Sequence, residues 1–205
     1  MLSPTIETER LILRRYKETD IDDIYEIITD ERLTNYISYP PFTKEKELEC
    51  IKKWIEEADT NKKEKWVIEL KSTKEVVGNI DINTIYEKHN YCNVGYTIRY
   101  NYWGNGYAAE ALKAVSDHLL TNSGYYLVEC CCNELNTQSS KVMLKAGFHK
   151  DGYIANRRLA KDGKYSGIEY YSKTKEDIID TLAIAERTYY KYRKSAIKKI
   201  LTYLQ

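Results

Sequence analysis

The chain has 205 residues, enough for one domain of ordinary size or one domain with an appendage. Hydrophobic residues make up 42% and the formal net charge is +1, from 32 Lys and Arg against 31 Asp and Glu. That composition affords a core, argues against wholesale disorder, and removes the electrostatic ground for a nucleic-acid or anionic-membrane binder. No apolar run reaches the length of a transmembrane helix, and the N-terminal stretch lacks the apolar core of a signal peptide. Five cysteines, three of them consecutive (Cys130, Cys131, Cys132), do not suit a disulfide framework, because neighbours on a strand face opposite ways. A reducing cytoplasm is the expected home.

In chain order, residues 9–15 read as a short half-buried strand with Leu11 and Leu13 on one face. Thr19 and Asp20 offer an N-cap to a helix carrying Ile21, Ile24, Tyr25 and Ile28. Pro40 and Pro41 interrupt any helix there. A second amphipathic helix follows with Leu48, Ile51, Trp54 and Ile55. Residues 66–71, 76–84 and 91–100 read as strands, with separators short enough for antiparallel hairpins.

Residues 104–122 read as a helix with Ala108, Ala111, Leu112, Val115 and Leu119 on one side and Gly124 beyond its end. Residues 125–132 form an apolar-leaning run, expected of a strand covered on both faces. A short helix over 137–145 stops at Gly147, and two strands flank Lys161-Asp-Gly-Lys164, a hairpin-turn signal. Residues 175–204 carry one long helical pattern, roughly 45 Å at ~1.5 Å per residue. The order predicts a mixed α/β (α+β) layer protein, residues 1–174 as one domain and 175–205 as a C-terminal helical extension. The extension is acidic in its first half and basic in its second. It suits a solvated face packed on the domain, or else a dimer helix or docking surface.

The segment with most chemical content is Trp103-Gly-Asn-Gly-Tyr-Ala-Ala-Glu-Ala111. A strand runs into a turn whose glycines let backbone amides converge at a helix start, a place suited to phosphate or pyrophosphate. A Walker loop is excluded, since Gly106 is followed by Tyr107-Ala108, and a Rossmann fingerprint by Ala109 and the antiparallel strands before the turn. His89, His118 and His149 are not spaced with the cysteines as a metal set, so no metal is expected. Cys130–Cys132 read as small buried strand residues, and the many tyrosines chiefly as packing.

With Glu9-Arg-Leu-Ile-Leu-Arg14, Asn136-Thr-Gln-Ser139 and Lys145-Ala-Gly-Phe148, this segment resembles the GNAT superfamily of acyl-CoA-dependent N-acyltransferases, nearest the RimJ/RimL-type branch. The likeness runs in order over roughly residues 5 to 172. It implies a central, mostly antiparallel mixed sheet flanked by helices, with acetyl-CoA as co-substrate. It implies further that Trp103, Gly104, Asn105, Gly106, Tyr107, Ala108 and Ala109 cradle the CoA pyrophosphate. Main-chain groups near Thr97 and Ile98 would pair with pantetheine amides, and Asn136 and Ser139 would contact that arm near its sulfur.

The implied reaction is direct attack of a neutral primary amine on the thioester. A protein N-terminal α-amine of pKa ~7.8 is about one quarter neutral near neutral pH, whereas a lysine amine is almost wholly protonated. A weak, water-mediated base then suffices. The resemblance points to Glu129 for that base and to Ser139 for a proton relay to the departing thiolate. Tyr36, Tyr39 and Phe42, in the proline-containing loop, are the candidate walls of the acceptor pocket. The chain departs from the family pattern at Met143, where many members have a tyrosine acid, and at Asn101, Asn93 and Gly167. A small amine (polyamine, amino sugar or amino acid) is the rival acceptor, and a silent acyl-CoA-binding module the rival function. No nucleic-acid or membrane partner is expected, and the chain would be a monomer or homodimer.

Overall fold

In a computed structural model, residues 3–34, 42–60, 62–159 and 163–181 are described. Two strands, β1 (Ile6–Glu7) at the sheet edge and β2 (Leu11–Arg14) beside it, lead through α1 (Ile21–Thr29) and the single turn α2 (Glu31–Thr34) to α3 (Lys44–Glu56). Three strands follow, β3 (Lys65–Leu70), β4 (Val76–Tyr86) and β5 (Tyr91–Ile98). Then come α4 (Tyr107–Thr121), β6 (Leu127–Asn133), α5 (Thr137–Lys145), β7 (His149–Leu159) and β8 (Tyr165–Thr174). One sheet of eight strands results, ordered β1-β2-β3-β4-β5-β6-β8-β7. Every neighbouring pair is antiparallel except β5–β6.

Two apolar layers hold the helices to this sheet. On one face Leu112, Val115 and Leu119 of α4 pack with Ile80, Val94, Val128, Cys130 and Met143. On the other, Ile24, Ile27, Ile28 and Ile51 from α1 and α3 close over Val67 and Val76. Lys173 is buried within the first layer because Asp117 Oδ1 (2.6 Å), Ala146 O (3.0 Å) and Ser116 Oγ (3.2 Å) surround its ammonium. Burial pushes its pKa down while Asp117 opposes the shift. Among the described residues no helix is long and apolar enough to cross a membrane.

Two expectations change in detail. The fourth helix starts at Tyr107 and not at 104, because Gly104 and Gly106 take left-handed φ of +80° and +83° that no helical turn contains. The strand over residues 125–132 is covered on one face only. Val128, Cys130 and Cys132 are buried, while Glu129 and Cys131 lie on the other, open face. The long terminal helix is helical over 175–181, and its remainder, 182–205, lies outside the described residues.

Candidate active site

The parallel β5–β6 pair is short: Tyr91, Cys92 and Asn93 oppose Leu127, Val128 and Glu129, and there the pairing ends. Beyond that point β5 stays in register with β4 as far as Gly78–Ile98, while β6 stays with β8 as far as Asn133–Ile168. Each strand is held from its outer side, so the two part and leave facing edges without each other. The gap widens into a cleft of about 1830 Å3 lined by residues of β4, β5, β6, α5 and the loop before α4.

Strand parity decides which groups face this gap. Arg99 N–H donates to Val77 O at 2.8 Å across the β4 ladder. Hydrogen-bonding direction alternates along a strand, so Thr97 also spends its main chain on β4, opposite Asn79. The main chains of Tyr96 and Ile98 therefore turn to the gap. Of the two expected positions, Ile98 has that geometry and Thr97 offers its side chain to the open face. The indole of Trp103 donates to Ile98 O at 2.7 Å, tying the strand end to the loop.

The loop itself is bolted from behind. Arg10 Nη1 donates to Asn105 O at 2.9 Å, and its guanidinium lies 4.6 Å from the centre of the Tyr107 ring. The Asn105 side chain donates to Tyr102 O (3.1 Å) and Trp103 O (3.3 Å), keeping the turn closed. A Cβ on Gly104 would meet nothing within 4 Å. The turn thus presents main-chain amides to open space at the positive end of a 15-residue helix, which fits a diphosphate. Lys141 and Lys145, one turn apart on α5, line the same cleft.

Asn136 caps α5: its Oδ1 accepts from Ser139 N–H at 3.1 Å. That leaves its amide nitrogen for a ligand. Ser139 Oγ lies 2.7 Å from Tyr96 Oη, which is also 3.1 Å from Ser139 O. Tyr96 was not among the residues singled out from sequence. Burial pushes its phenol pKa up, with Ser139 opposing, so it acts as a neutral hydrogen-bonding group. Met143 is fully buried in the core, so no acid acts from that position.

On the open face, Asn83 Nδ2 reaches Asn93 Oδ1 at 3.4 Å, and Asn93 Nδ2 donates to Glu129 Oε1 at 2.9 Å. A polar line therefore crosses three strands and orients Glu129 where the sheet begins to part. Gly167, where the family pattern suggests an acid, is covered by the Tyr153 ring, with which any Cβ would collide. A carboxylate arrives there from Glu134, whose Oε1 accepts Gly167 N–H at 2.6 Å. Phe42 is 46% exposed, and Tyr36 and Tyr39 lie outside the described residues. Among the described residues no three His, Cys, Asp or Glu gather as a metal site.

A parted parallel pair beside a glycine-built helix start is the architecture of an acyl-CoA-dependent acyltransferase. The family model described as acetyltransferase (GNAT) domain matches residues 10–149, so the chain belongs to the GNAT acetyltransferase family. It is 28% identical over 174 residues to the uncharacterized N-acetyltransferase p20 of Bacillus licheniformis, covering 84% of this chain and 97% of that one. The fold is shared with the ribosomal-protein-S5-alanine acetyltransferase of Vibrio fischeri, at TM-score 0.75 and 20% identity over 85% and 98% of the two chains. It is shared equally with spermidine N-acetyltransferase of Vibrio cholerae in complex with CoA and spermine. There the TM-score is 0.74 and the identity 17%, over 84% and 99%.

Proposed function

We propose that this N-acetyltransferase holds acetyl-CoA in the gap between β5 and β6 and passes its acetyl group directly to a primary amine. The acceptor is a protein N-terminal α-amine or a small amine, entering from the open sheet face. The amides of residues 103–109 hold the diphosphate, with Lys141 and Lys145 beside it. The main chains of Tyr96 and Ile98 pair with the pantetheine arm as a neighbouring strand would. Asn136 and Ser139 stand near the sulfur.

Glu129 takes the proton that the ammonium must lose, through a water, and the neutral nitrogen attacks the thioester carbon. A C–N bond forms and the C–S bond breaks. Ser139 donates a hydrogen bond to the departing sulfur, whose charge is finally quenched by a proton from solvent. Tyr96 is too disfavoured as a phenolate to be that proton's source. What carries the reading is the end of β5–β6 pairing at Asn93–Glu129, which opens a strand-width slot beside the helix start and leaves a carboxylate at its apex.

Free-thiol release from acetyl-CoA against a panel of peptides and small amines tests it. Turnover with a primary amine is expected. Tight coenzyme binding without turnover on any acceptor would instead establish the silent binding module. Glu129→Gln should cut kcat/KM by about 100-fold or more, with the loss shrinking as pH rises toward the acceptor's own pKa. An unchanged pH–rate profile would remove Glu129 from the role.

A further inference from the structure

One lobe of the cleft lies between α3 and β4, away from the sulfur end, and is acidic. Glu47 on α3 is only 5% exposed, lines the cleft, and has no hydrogen-bond or ion-pair partner among the described residues. Asp81 on β4 faces the same lobe with its side chain 13% exposed. Asn79 Nδ2 donates to Asp81 at 3.0 Å, and Tyr16 Oη sits 3.4 Å from each of its oxygens. Lys65 acts on both carboxylates: its Nζ lies 3.6 Å from Asp81 Oδ2 and 4.5 Å from the centre of the Trp54 ring, and its charge also favours ionised Glu47. Tyr16 and Trp54 meet edge to face at 5.1 Å and complete an aromatic wall.

The charges do not balance. Among the described residues two carboxylates share one ammonium here, and with both ionised a surplus negative charge would sit where desolvation is costly. Burial is the largest influence on each group and pushes both carboxyls up; for Glu47, repulsion from Asp81 adds to it. A buried carboxylate without a partner, beside aromatic faces and open to a cleft, is the chemistry that receives an ammonium ion.

We propose that this lobe is a subsite for a second protonated amine on the acceptor, held by Glu47 and Asp81 while the amine to be acetylated lies at Glu129. Asp81 opposes Gly95, and Glu129 neighbours Asn93, so both carboxylates stand on one face of the sheet. They are two strands and two residues apart, roughly 12 Å between main-chain positions at ~4.8 Å per strand and ~3.3 Å per residue. An acceptor whose two nitrogens are joined by several methylenes spans that distance. The inference rests on the acetyl-transfer reading for the role of Glu129, but binding at the lobe can be measured without it.

Thiol release is compared for cadaverine and pentylamine, which differ only in the second amine, and for an Ala-Lys and an Ala-norleucine peptide. We expect at least tenfold higher kcat/KM for the dication of one pair or both. The pair showing it tells whether a small diamine or a basic peptide is the source. Glu47→Gln, near-isosteric and without a hydrogen bond to lose, should collapse that preference, and Asp81→Asn should reduce it. Equal use of both members of both pairs overturns the proposal, as does a preference that survives both substitutions. If no amine turns over, the Tm of the CoA-bound protein with cadaverine and pentylamine decides. A shift specific to cadaverine and absent in Glu47→Gln supports the subsite while the function fails, and no such shift overturns it.

Discussion

Arg10 and Glu110, a hundred residues apart, form a clamp that fixes the turn before α4: Arg10 Nε and Nη2 lie 2.7 and 2.6 Å from Glu110 Oε2. The other oxygen of Glu110 accepts from Thr8 Oγ1 (2.6 Å) and the Arg10 amide (3.0 Å). The same guanidinium reaches Asn105 O, so the edge of the sheet grips the turn before α4 from outside the cleft.

Replacing Glu110 by Ala should therefore loosen the loop rather than disable the chemistry. We expect KM for acetyl-CoA to rise about tenfold and kcat to change by less than about threefold, on the scale of charge-assisted hydrogen bonds discounted for an exposed guanidinium. Steady-state kinetics varying acetyl-CoA at saturating acceptor measures the split. A fall in kcat alone would mean that Glu110 acts elsewhere.

The same carboxylate makes a pH prediction. Burial pushes the Glu110 pKa up, but the hydrogen bonds from Thr8 and Arg10 outweigh it and hold the group below the usual carboxylate range. A carboxyl with a depressed folded-state pKa stabilises above its unfolded value, and that contribution disappears as pH falls through the folded one. The stability gap between the parent protein and Glu110→Gln should be present at neutral pH and shrink at roughly pH 4 and below. Urea unfolding at both pH values reads it directly.

At the loop, Gly104→Ala and Gly106→Ala each force an L side chain into left-handed backbone, costing about 1–2 kcal/mol if the turn is kept. The added methyl at 104 meets no protein atom, so its effect should fall on the ligand. Calorimetric CoA affinity should drop more for Gly104→Ala than its loss of thermal stability accounts for.

At the sulfur end, Ser139→Ala should lower kcat by about 10- to 100-fold while KM for acetyl-CoA stays within a few fold. Tyr96→Phe should give a smaller fall, because Tyr96 positions the Ser139 hydroxyl across 2.7 Å. The double variant should be no slower than Ser139→Ala, since the two act through one hydrogen bond. Fully additive losses would separate them.

Direct transfer also predicts what will not accumulate. Burial pushes the thiol of Cys92 up to about 12 and that of Cys132 up to about 11, and it raises that of Cys130 as well. Cys131 is the exposed member of the β6 triplet, yet burial of its sulfur and the nearby Glu129 raise it as well. At neutral pH these groups are thiols and poor nucleophiles. Mass spectrometry of protein quenched with acetyl-CoA should show no acetyl-cysteine, and an adduct on Cys131 or Cys132 would refute direct attack.

Elements that depend on local pattern were legible in the chain. The apolar stripe of α4 and the short helix α5 follow from helical period. The open face of β6 was not legible, because an apolar-leaning run does not reveal that helices cover one side alone. Nor was the partnership of Tyr96 with Ser139, which joins a strand to a helix 43 residues on.

By itself, then, the sequence determined which segments carry a helical or strand period and which family the motifs resemble, since each is a property of a few adjacent residues. Tertiary structure alone decided that β5 and β6 part after Asn93, that Ile98 rather than Thr97 turns its main chain to the gap, and that Glu47 and Asp81 line one lobe of the cleft. Those follow from strand register and helix docking, where a shift of one residue reverses every direction, and no local pattern carries that information.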